Sequence, residues 1–346
     1  MVTSKFAAAR QGLLLEHYNG KKILVTGGTG SIGHELTAQL LKSRARVVRV
    51  LSNDENGLFD MEQEFTDHRI RYLLGDVRDP ERMKQAAQDI DFVFHAAALK
   101  HVPIGEYNPF ELVMTNVVGT KNVIDACLHN DVRSFVLIST DKAVNPISTL
   151  GASKLLCEKL VVDAAAYKGP RRTKFTCVRF GNVLKTRGSV TEVFARQLVN
   201  GGPLTLTDAE MTRFVLDQQT AVARVLKAAK VAEGGEIFVM KMKSLRIKDL
   251  AEVFVEEFAR SHRLEPSSIQ IKFSGARPGE KIHEELMTDT EASNCAETGE
   301  FYILLPRTSA SSTYRNLKQS TVRPYTSKDG PLMAKEEIRH LLRFLN

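Results

Sequence analysis

Short runs of aliphatic and β-branched residues alternate with longer stretches of helical periodicity from residue 21 to about residue 180. The runs predict strands, and the stretches, whose apolar positions recur every three or four residues, predict helices. Strands that are apolar along their whole length and separated by helices indicate a parallel sheet covered on both faces, a doubly wound α/β fold. The predicted strands are Lys22–Thr26, Arg46–Leu51, Arg69–Leu74, Phe92–Ala96, Ser134–Thr140 and Lys174–Arg179. The predicted helices include Gly33–Ser43, Glu81–Ala87, Val113–Asn130 and Gly151–Ala166.

The first predicted strand runs directly into a glycine-rich loop and then into a helix. Gly27, Gly30 and Gly33 form Gly-x-x-Gly-x-x-Gly, a variant of the Rossmann dinucleotide fingerprint. One glycine makes the tight turn, one lets the backbone approach a pyrophosphate, and one lets the helix pack on the strand. The helix N-terminus then offers free N–H groups to the phosphates. We therefore expect the loop, with Thr29, Ser31 and Ile32, to hold a nicotinamide dinucleotide.

The ends of the next strands complete the predicted cofactor site. Ser52 and Asn53 follow the second strand, where a carboxylate would favour NAD, but Asp54 lies two residues further on. The choice between NAD and NADP therefore stays open. Asp76 and Val77 follow the third strand, where an adenine ring would lie, although Asp76 is also an ordinary turn residue. The small side chains after the fourth strand, Ala96, Ala97 and Ala98, let the backbone pass close to a flat cofactor.

Regularity falls after residue 181, where glycines and prolines punctuate shorter elements. We expect an N-terminal surface helix over residues 1–20, a dinucleotide-binding domain over 21–180, a smaller, partly interleaved lobe over 181–305 and a C-terminal extension over 306–346.

Composition narrows the class of protein. The net charge of +7 comes from scattered basic residues without long runs, which argues against nucleic acid and suits ligands that carry pyrophosphate. Four cysteines without metal-ligand spacing indicate reduced thiols in a cytoplasmic protein without a metal site. No apolar run approaches the ~20 residues that cross a bilayer, so we expect no membrane insertion.

Longer segments resemble a known family. The glycine loop, Gly75-Asp76-Val77 and His95-Ala96-Ala97-Ala98 are similar to the extended short-chain dehydrogenase/reductases. Further segments resemble the UDP-N-acetylglucosamine 4,6-dehydratases more specifically: residues 97–103, 108–109, 115–120, 179–184, 211–214 and 277–285. The resemblance covers residues 20 to 290 and makes residues 181–305 the nucleotide-sugar-binding lobe.

The resemblance implies a reaction and its residues. Asp141 and Lys142 follow the predicted strand Ser134–Thr140, at the sheet edge where open α/β enzymes place catalytic groups. Asp141 would be the acid at carbon 6 of the sugar, and Lys142 the base at carbon 5. Oxidation of carbon 4 acidifies the hydrogen on carbon 5, and the cofactor's hydride returns to carbon 6. Without the surrounding motifs, the pair would be read as an exposed turn.

The helix after this loop departs from the superfamily pattern Tyr-x-x-x-Lys. Leu150 occupies the tyrosine position, whereas Lys154 is present one turn later and faces the same way. One branch of the dehydratases has an apolar methionine here and is associated with retention at carbon 5, which we therefore favour. Thr140 or Asp141, assisted by Lys154, is the candidate base for the carbon 4 hydroxyl, and Lys154 would also hold the nicotinamide ribose.

The resemblance also supplies the remaining contacts. Asn116 joins the predicted cofactor site. The predicted substrate residues are Lys100, His101, Asn182, Val190, Arg213, Arg277 and Glu280. Asn182 would anchor the substrate diphosphate, and the guanidinium groups suit phosphate or uracil. For His101, packing is as good an explanation as binding.

Two alternatives stay open. A nucleotide-sugar 4-epimerase shares the fold and the transient ketone but needs no acid–base pair for carbons 5 and 6. A catalytically silent NAD(P)-binding protein would explain the missing tyrosine. Relatives assemble into dimers or larger rings, which implies a homo-oligomer.

Overall fold

The computed structural model describes residues 12–184, 186, 188–275, 277–306, 314, 318–319 and 324–343. Its main feature is a ten-stranded sheet with the strand order β16-β14-β15-β10-β6-β5-β4-β1-β2-β3. The strands of this sheet are β1 (Lys22–Thr26), β2 (Val47–Ser52), β3 (Ile70–Leu74), β4 (Phe92–His95), β5 (Ser134–Thr140), β6 (Lys174–Phe180), β10 (Ile237–Met240), β14 (Cys295–Glu297), β15 (Phe301–Leu304) and β16 (Lys318–Gln319).

The sheet is parallel from β3 across to β10. The order 3-2-1-4-5-6 within it is that of the Rossmann fold. The predicted doubly wound sheet is confirmed, and so are its six predicted strands. The sequence did not reveal that β15, β14 and β16 extend the sheet in antiparallel register. Strands of two to four residues are too short to show a period.

Helices cover both faces of the parallel sheet. In chain order they are α1 (Ser31–Leu41), α2 (Glu55–Glu64), α3 (Pro80–Ala86), α4 (Val102–Tyr107), α5 (Pro109–Leu112), α6 (Gly119–His129) and α7 (Thr149–Tyr167). The stretch predicted as one helix over Val113–Asn130 is divided, because Val113–Val118 form a π-helix before α6 begins. The sequence analysis missed α2, in which Leu58 and Met61 are the buried large apolar residues.

The second lobe has a core of its own. The elements that follow β6 outside the ten-stranded sheet are β7 (Asn182–Val183), α8 (Val190–Val199), β8 (Leu204–Leu206), β9 (Thr212–Leu216), α9 (Gln218–Val231), β11 (Lys243–Arg246), α10 (Ile247–His262), β12 (Ile271–Phe273), β13 (Glu285–Met287), α11 (Asp289–Ala292), β17 (Tyr325–Thr326) and α12 (Lys335–Arg343). Of these, α9 packs into the core of the sheet domain, and the others include the elements of the second lobe. Apolar side chains such as Phe194 and Leu250 pack together there with Ile338 of α12. The last helix therefore belongs to the core of this lobe, although the sequence suggested a separate extension.

The beginning of the described chain is partly buried. Residues 12–15 are helical, and Glu16–Tyr18 form a 3-10 turn. Tyr18 is fully buried and donates a hydrogen bond to the carbonyl oxygen of Leu226. This contact corrects the expectation of a helix that lies entirely on the surface; residues 1–11 are outside the described part. No helix in the described part of the chain is long and apolar enough to span a membrane.

Candidate functional site

The loop after β1 brings backbone against backbone at two glycines. Gly27 has a φ of +66°, and a Cβ on it would lie 2.6 Å from the Cα of Ala97. A Cβ on Gly33 would lie 2.3 Å from the carbonyl oxygen of Gly27. Gly30 is the N-cap of α1 and has no side chain, so the helix begins directly at the glycine loop. This cradle fits the pyrophosphate of a dinucleotide.

A cavity of about 300 Å³ lies beside this loop. Most of the predicted cofactor residues line it: Gly27, Thr29, Gly30, Ser52, Asn53, Asp76, Val77, Ala96, Ala97 and Ala98. Of the others, Ser31 begins α1, Ile32 lines the larger cavity described below, and Gly33 packs behind the loop. The fold therefore brings the predicted cofactor residues together around one space.

The side chains at the end of β2 are engaged within the protein. The hydroxyl groups of Ser52 and Thr29 are 2.8 Å apart. Asp54, the nearest carboxylate along the chain, caps α2 by accepting a hydrogen bond from the N–H of Gly57 at 3.0 Å. Ser52 thus steadies the glycine loop, and Asp54 has a capping role that the sequence analysis did not assign to it.

One cation lines this cavity among the residues that the structure describes. The Arg78 guanidinium lies 2.7 Å from the carboxylate of Asp76 and 3.1 Å from that of Glu111. The Arg78 side-chain hydrogen bond holds the pKa of Asp76 below its usual range. The positive charge of Arg78 is therefore already paired with two carboxylates.

Asn116 lies one layer behind the cavity, where it supports the wall. Its Oδ1 accepts a hydrogen bond from the N–H of Leu99 at 2.8 Å, and its Nδ2 donates to the Ser153 hydroxyl at 3.0 Å. Its side chain is 1% exposed. We therefore revise the expected direct contact with the cofactor: Asn116 fixes the loop after β4 to α7.

A larger cavity of about 460 Å³ lies between the carboxyl edge of the sheet and the second lobe. All seven predicted substrate residues line it, namely Lys100, His101, Asn182, Val190, Arg213, Arg277 and Glu280. Thr140, Lys142 and Lys154 line the same cavity, as do Ala96 and Ala98 of the smaller one. The two cavities therefore share a wall, as a cofactor and its substrate require.

Asp141 and Lys142 form a buried acid–base pair at the end of β5. Lys142 Nζ lies 3.1 Å from Oδ1 of Asp141, and the Thr140 hydroxyl donates to the same oxygen at 2.8 Å. Asp141 is completely buried, and its Oδ2 has no hydrogen-bond partner among the described residues. An exposed turn with an incidental ion pair would not bury a carboxylate in this way.

Glu284 completes this cluster, and the sequence analysis missed it. Its Oε1 lies 3.2 Å from Lys142 Nζ and 3.7 Å from Nε of Arg213, and its side chain is 2% exposed. Burial lowers the pKa of Lys142, but the charges of Asp141 and Glu284 raise it by more, so that the pKa lies above its ordinary value. The signal was present in the family-like segment 277–285, from which the sequence analysis names only Arg277 and Glu280 as substrate residues.

The helix α7 places two further groups in the cavity. Lys154 is 5% exposed and donates a hydrogen bond to the carbonyl oxygen of Ile138 at 2.6 Å. Leu150 lines the cavity one turn earlier and is 4% exposed. A Cβ on Gly151 would lie 2.3 Å from the carbonyl oxygen of Lys142, so the helix packs directly on the turn that carries Lys142. This close approach fixes Lys154 relative to Lys142.

Arg213 is more engaged than the sequence suggested. Its guanidinium donates to the carbonyl oxygens of Thr212, Ile282 and Lys281, at distances of 2.8 to 3.0 Å. It also lies 3.6 Å from the carboxylate of Glu280. Its first role is therefore to hold the 281–284 segment against the cavity, which revises the expectation of a guanidinium free to bind phosphate.

Two other predicted substrate residues present polar atoms to the cavities. Asn182 carries a buried Oδ1 that has no hydrogen-bond partner among the described residues. Arg277 is exposed and lines both the large cavity and a second one of about 150 Å³ beside it. The Arg277 guanidinium suits an anionic ligand better than the engaged guanidinium of Arg213 does, whereas the Asn182 Oδ1 suits a hydrogen-bond donor of the ligand.

A buried ion network ties α7 to the second lobe. Both guanidinium Nε and Nη2 of Arg179 donate to the carboxylate of Glu158, at 3.0 and 2.6 Å, and the same guanidinium bonds Glu291 at 3.0 Å. The Ser139 hydroxyl donates to Glu158 at 2.6 Å. The network joins the helix of Lys154 to the strand that carries Thr140.

Comparison with known proteins agrees with this architecture. A family model described as "Polysaccharide biosynthesis protein" matches residues 23–306. A protein of Methanocaldococcus jannaschii, named as an uncharacterized membrane protein, is 48% identical over 94% of this chain and 96% of its own length. The UDP-N-acetylglucosamine 4,6-dehydratase (inverting) of Campylobacter jejuni is 42% identical over 84% of each chain. The UDP-glucose 4-epimerase of Rickettsia massiliae is 35% identical over 94% of this chain and 96% of its own.

Solved structures have the same fold. Pen from Bacillus thuringiensis matches with a TM-score of 0.89 and 39% identity, over 94% of this chain and 98% of that one. The dTDP-glucose 4,6-dehydratase DesIV of Streptomyces venezuelae, solved with NAD bound, matches with a TM-score of 0.67 and 22% identity, over 75% and 86% of the two chains. The chain therefore belongs to the polysaccharide biosynthesis protein family of extended short-chain dehydrogenase/reductases, the family of these nucleotide-sugar dehydratases and epimerases.

Proposed function

We propose that the protein is a nicotinamide-dependent UDP-N-acetylglucosamine 4,6-dehydratase. The observation that carries this proposal is the buried Asp141–Lys142 pair, whose lysine lines the cavity shared with the predicted substrate residues. A 4-epimerase needs to move a hydride at carbon 4 only, whereas a dehydratase also needs an acid and a base for the elimination of water. The 42% identity to the Campylobacter jejuni dehydratase supports the same substrate.

The residues around the glycine loop fit a dinucleotide. The cradle at Gly27 and Gly33 would hold its pyrophosphate, and Lys154, at the junction with the larger cavity, would hold the nicotinamide ribose. When bound, the cofactor would supply hydride-transfer chemistry for carbons 4 and 6 of the sugar.

The residues of this chain manage the protons. The Thr140 hydroxyl, which donates to Asp141, offers a path by which the proton of the carbon 4 hydroxyl reaches that carboxylate. Asp141, once protonated, gives the proton to the departing carbon 6 hydroxyl, which leaves as water. Lys142 takes the hydrogen of carbon 5 as a proton. Because the Leu150 side chain has no ionisable proton, this scheme assigns the proton transfers to residues at the end of β5 and in the turn after it, and none to residue 150.

We further propose that the reaction retains the configuration at carbon 5. Lys142 is held by Asp141 on one side of the cavity, and Leu150 offers no proton donor where the superfamily has tyrosine. If the same amine removes and returns the proton, carbon 5 receives it on the face from which it left. The printed name of the Campylobacter jejuni relative says that its own reaction inverts, so the stereochemistry of this product must be measured.

For the cofactor, we propose a preference for NAD. The cation that lines the ribose end of the smaller cavity, Arg78, is paired with Asp76 and Glu111. The 2′-phosphate of NADP would therefore lie near two carboxylates, and the cation beside it would already be paired. Titration of the purified protein with NADH and NADPH, followed by cofactor fluorescence, measures the preference; equal affinities would contradict it.

Mass spectrometry of UDP-N-acetylglucosamine incubated with the protein tests the proposed function. A product lighter by one water is expected. A second candidate, 4-epimerisation, is favoured by the identity to the Rickettsia massiliae epimerase over nearly the whole chain. An isomer of unchanged mass would establish that alternative and contradict the dehydratase.

A further inference from the structure

Glu284 occupies a position that the dehydratase scheme does not yet use. It precedes β13, and its N–H donates to the buried hydroxyl of Ser327, which fixes the backbone. Its Oε1 faces Lys142 at 3.2 Å and Arg213 at 3.7 Å. Its Oε2 is buried and has no hydrogen-bond partner among the described residues. A carboxylate oxygen accepts hydrogen bonds, so this one keeps an open acceptor position inside the protein.

The elimination requires a neutral amine on Lys142, whereas the resting cluster favours its ammonium form. The charged groups that face Lys142 are Asp141, Glu284 and Arg213, and the two carboxylates raise the pKa of the lysine against the effects of burial and of the arginine. Asp141 cannot take the extra proton, because it already receives the proton of the carbon 4 hydroxyl through Thr140. The remaining acceptor within hydrogen-bonding distance, among the described residues, is Glu284.

We propose that Glu284 accepts a proton from Lys142 before the elimination and returns it afterwards. In the forward step an N–H bond of the Lys142 ammonium breaks, and an O–H bond forms on Glu284. The electron pair stays on the nitrogen, and nothing is oxidised or reduced. The free amine then removes the proton of carbon 5. This inference rests on the proposed dehydratase function and deepens it, and it makes Glu284 a positioning residue that acts through Lys142.

The protons balance over one turnover, because each group returns to its starting protonation state. Asp141 gains the proton of the carbon 4 hydroxyl and loses it to the departing water. Lys142 gains a proton from carbon 5 and gives it back there after hydride return, and the proton on Glu284 then moves back to the amine. A second cavity of about 150 Å³, lined by both Lys142 and Glu284, has room for water that exchanges these protons with solvent.

Steady-state kinetics of Glu284→Gln test the proposal, with incorporation of deuterium at carbon 5 from heavy water as the second readout. The amide keeps the shape but cannot store the proton, so kcat should fall about 100-fold, and deuterium incorporation with it. KM for the sugar should stay within about threefold, since Glu284 acts on a transition-state step. The shorter side chain of Glu284→Asp keeps a carboxylate but places it farther from Lys142, so we expect kcat to fall about tenfold.

A charge partner without proton transfer would behave differently. If Glu284 were only a charge partner, Glu284→Gln would lower the pKa of Lys142, shift the acid limb of the pH–rate profile to lower pH and leave the plateau rate unchanged.

Glu285→Gln is the matched control, because that carboxylate lies next along the chain and accepts a hydrogen bond from Asn145 at 2.6 Å. This variant should keep the wild-type rate. A wild-type protein that removes no water would overturn the proposed function itself. If the wild type is active and Glu284→Gln keeps its full kcat, only the role of Glu284 is overturned. Should Glu284→Gln not fold, full kcat in Glu284→Asp gives the same result.

Discussion

Lys142 Nζ lies 3.1 Å from Oδ1 of Asp141, its neighbour in the chain, and that carboxylate is completely buried. A strand residue and its successor normally point in opposite directions, but the 3-10 turn Asp141–Ala143 follows β5 directly and brings the two side chains together. The turn thereby puts a proton donor and a proton acceptor within one hydrogen bond of each other at the cavity wall.

Asp141→Asn should abolish most of the activity and spare the cofactor site. The amide cannot donate an acidic proton to the departing hydroxyl, so we expect kcat to fall by about 10²- to 10⁴-fold. Dissociation constants for the cofactor, measured by fluorescence, should change little, because Asp141 does not line the smaller cavity. Asp125→Asn, in an exposed pair with Lys121, serves as the control. Full turnover by Asp141→Asn would remove the assigned acid.

Asn53→Arg should move the cofactor preference towards NADP. The substitution places a guanidinium at the ribose end of the smaller cavity, where Arg78 is already paired. An ion pair of this kind with a phosphate is worth about 1.5–3 kcal/mol, or roughly ten- to 150-fold in the affinity ratio. Asn56→Arg makes the same change at an exposed position that does not line the cavity. An identical NADPH:NADH ratio in both variants would contradict the placement of Asn53.

Arg179→Met should destabilise the fold strongly. The substitution leaves the Glu158 carboxylate, which is 1% exposed, without its cation, and breaking such a pair costs about 3–5 kcal/mol. Arg172→Met removes an exposed pair with Asp131 and should cost less than about 1 kcal/mol. Urea unfolding measures both. Equal losses in the two variants would show that the buried network contributes little.

His95 should make the protein less stable in mild acid. Burial, with a smaller contribution from the charge of Lys154, lowers the pKa of His95 to about 3, while the unfolded chain titrates near 6.5. Below pH 6.5 the unfolded state therefore binds a proton that the folded state does not. The free energy of unfolding should fall by about 2 kcal/mol between pH 7 and pH 5 through this group alone.

The variant His95→Asn isolates that contribution. It loses the ring that contacts Thr26 and Thr120, and its loss of stability between pH 7 and pH 5 should be smaller than that of the wild type by about 2 kcal/mol. His68→Asn, at a ring that is 94% exposed, should keep the wild-type pH dependence. If the two variants lose stability in parallel between these pH values, His95 is not the group responsible.

The sequence predicted those parts of the site that lie in continuous segments. The glycine loop and the pair after β5 follow single strands, so hydrophobic pattern and motif were enough to place them. Six of the seven predicted substrate residues lie in segments that resemble the family, and all seven line one cavity. The parallel sheet was predicted from strands that are apolar along their whole length, a pattern that can be recognised in the sequence without knowledge of tertiary contacts.

Contacts between distant segments could not be predicted in the same way. Glu284 meets Lys142 only when the second lobe folds against the end of β5, and nothing local distinguishes it from Glu285 beside it. The resemblance assigned Asn116 and Arg213 to ligands without information on their neighbours in the fold. The structure shows that backbone groups of Leu99 and Ile282 use their hydrogen-bonding capacity instead.

The proton NMR spectrum of UDP-N-acetylglucosamine incubated with the protein in heavy water tests the dehydratase most directly. We predict a new methyl signal from carbon 6, a keto or hydrated carbon 4, and deuterium at carbon 5 with the configuration retained. Inversion at carbon 5 would leave the dehydratase in place but contradict the return of the proton by Lys142. A spectrum of unchanged sugar, with NAD and then NADP supplied, would contradict the proposed function.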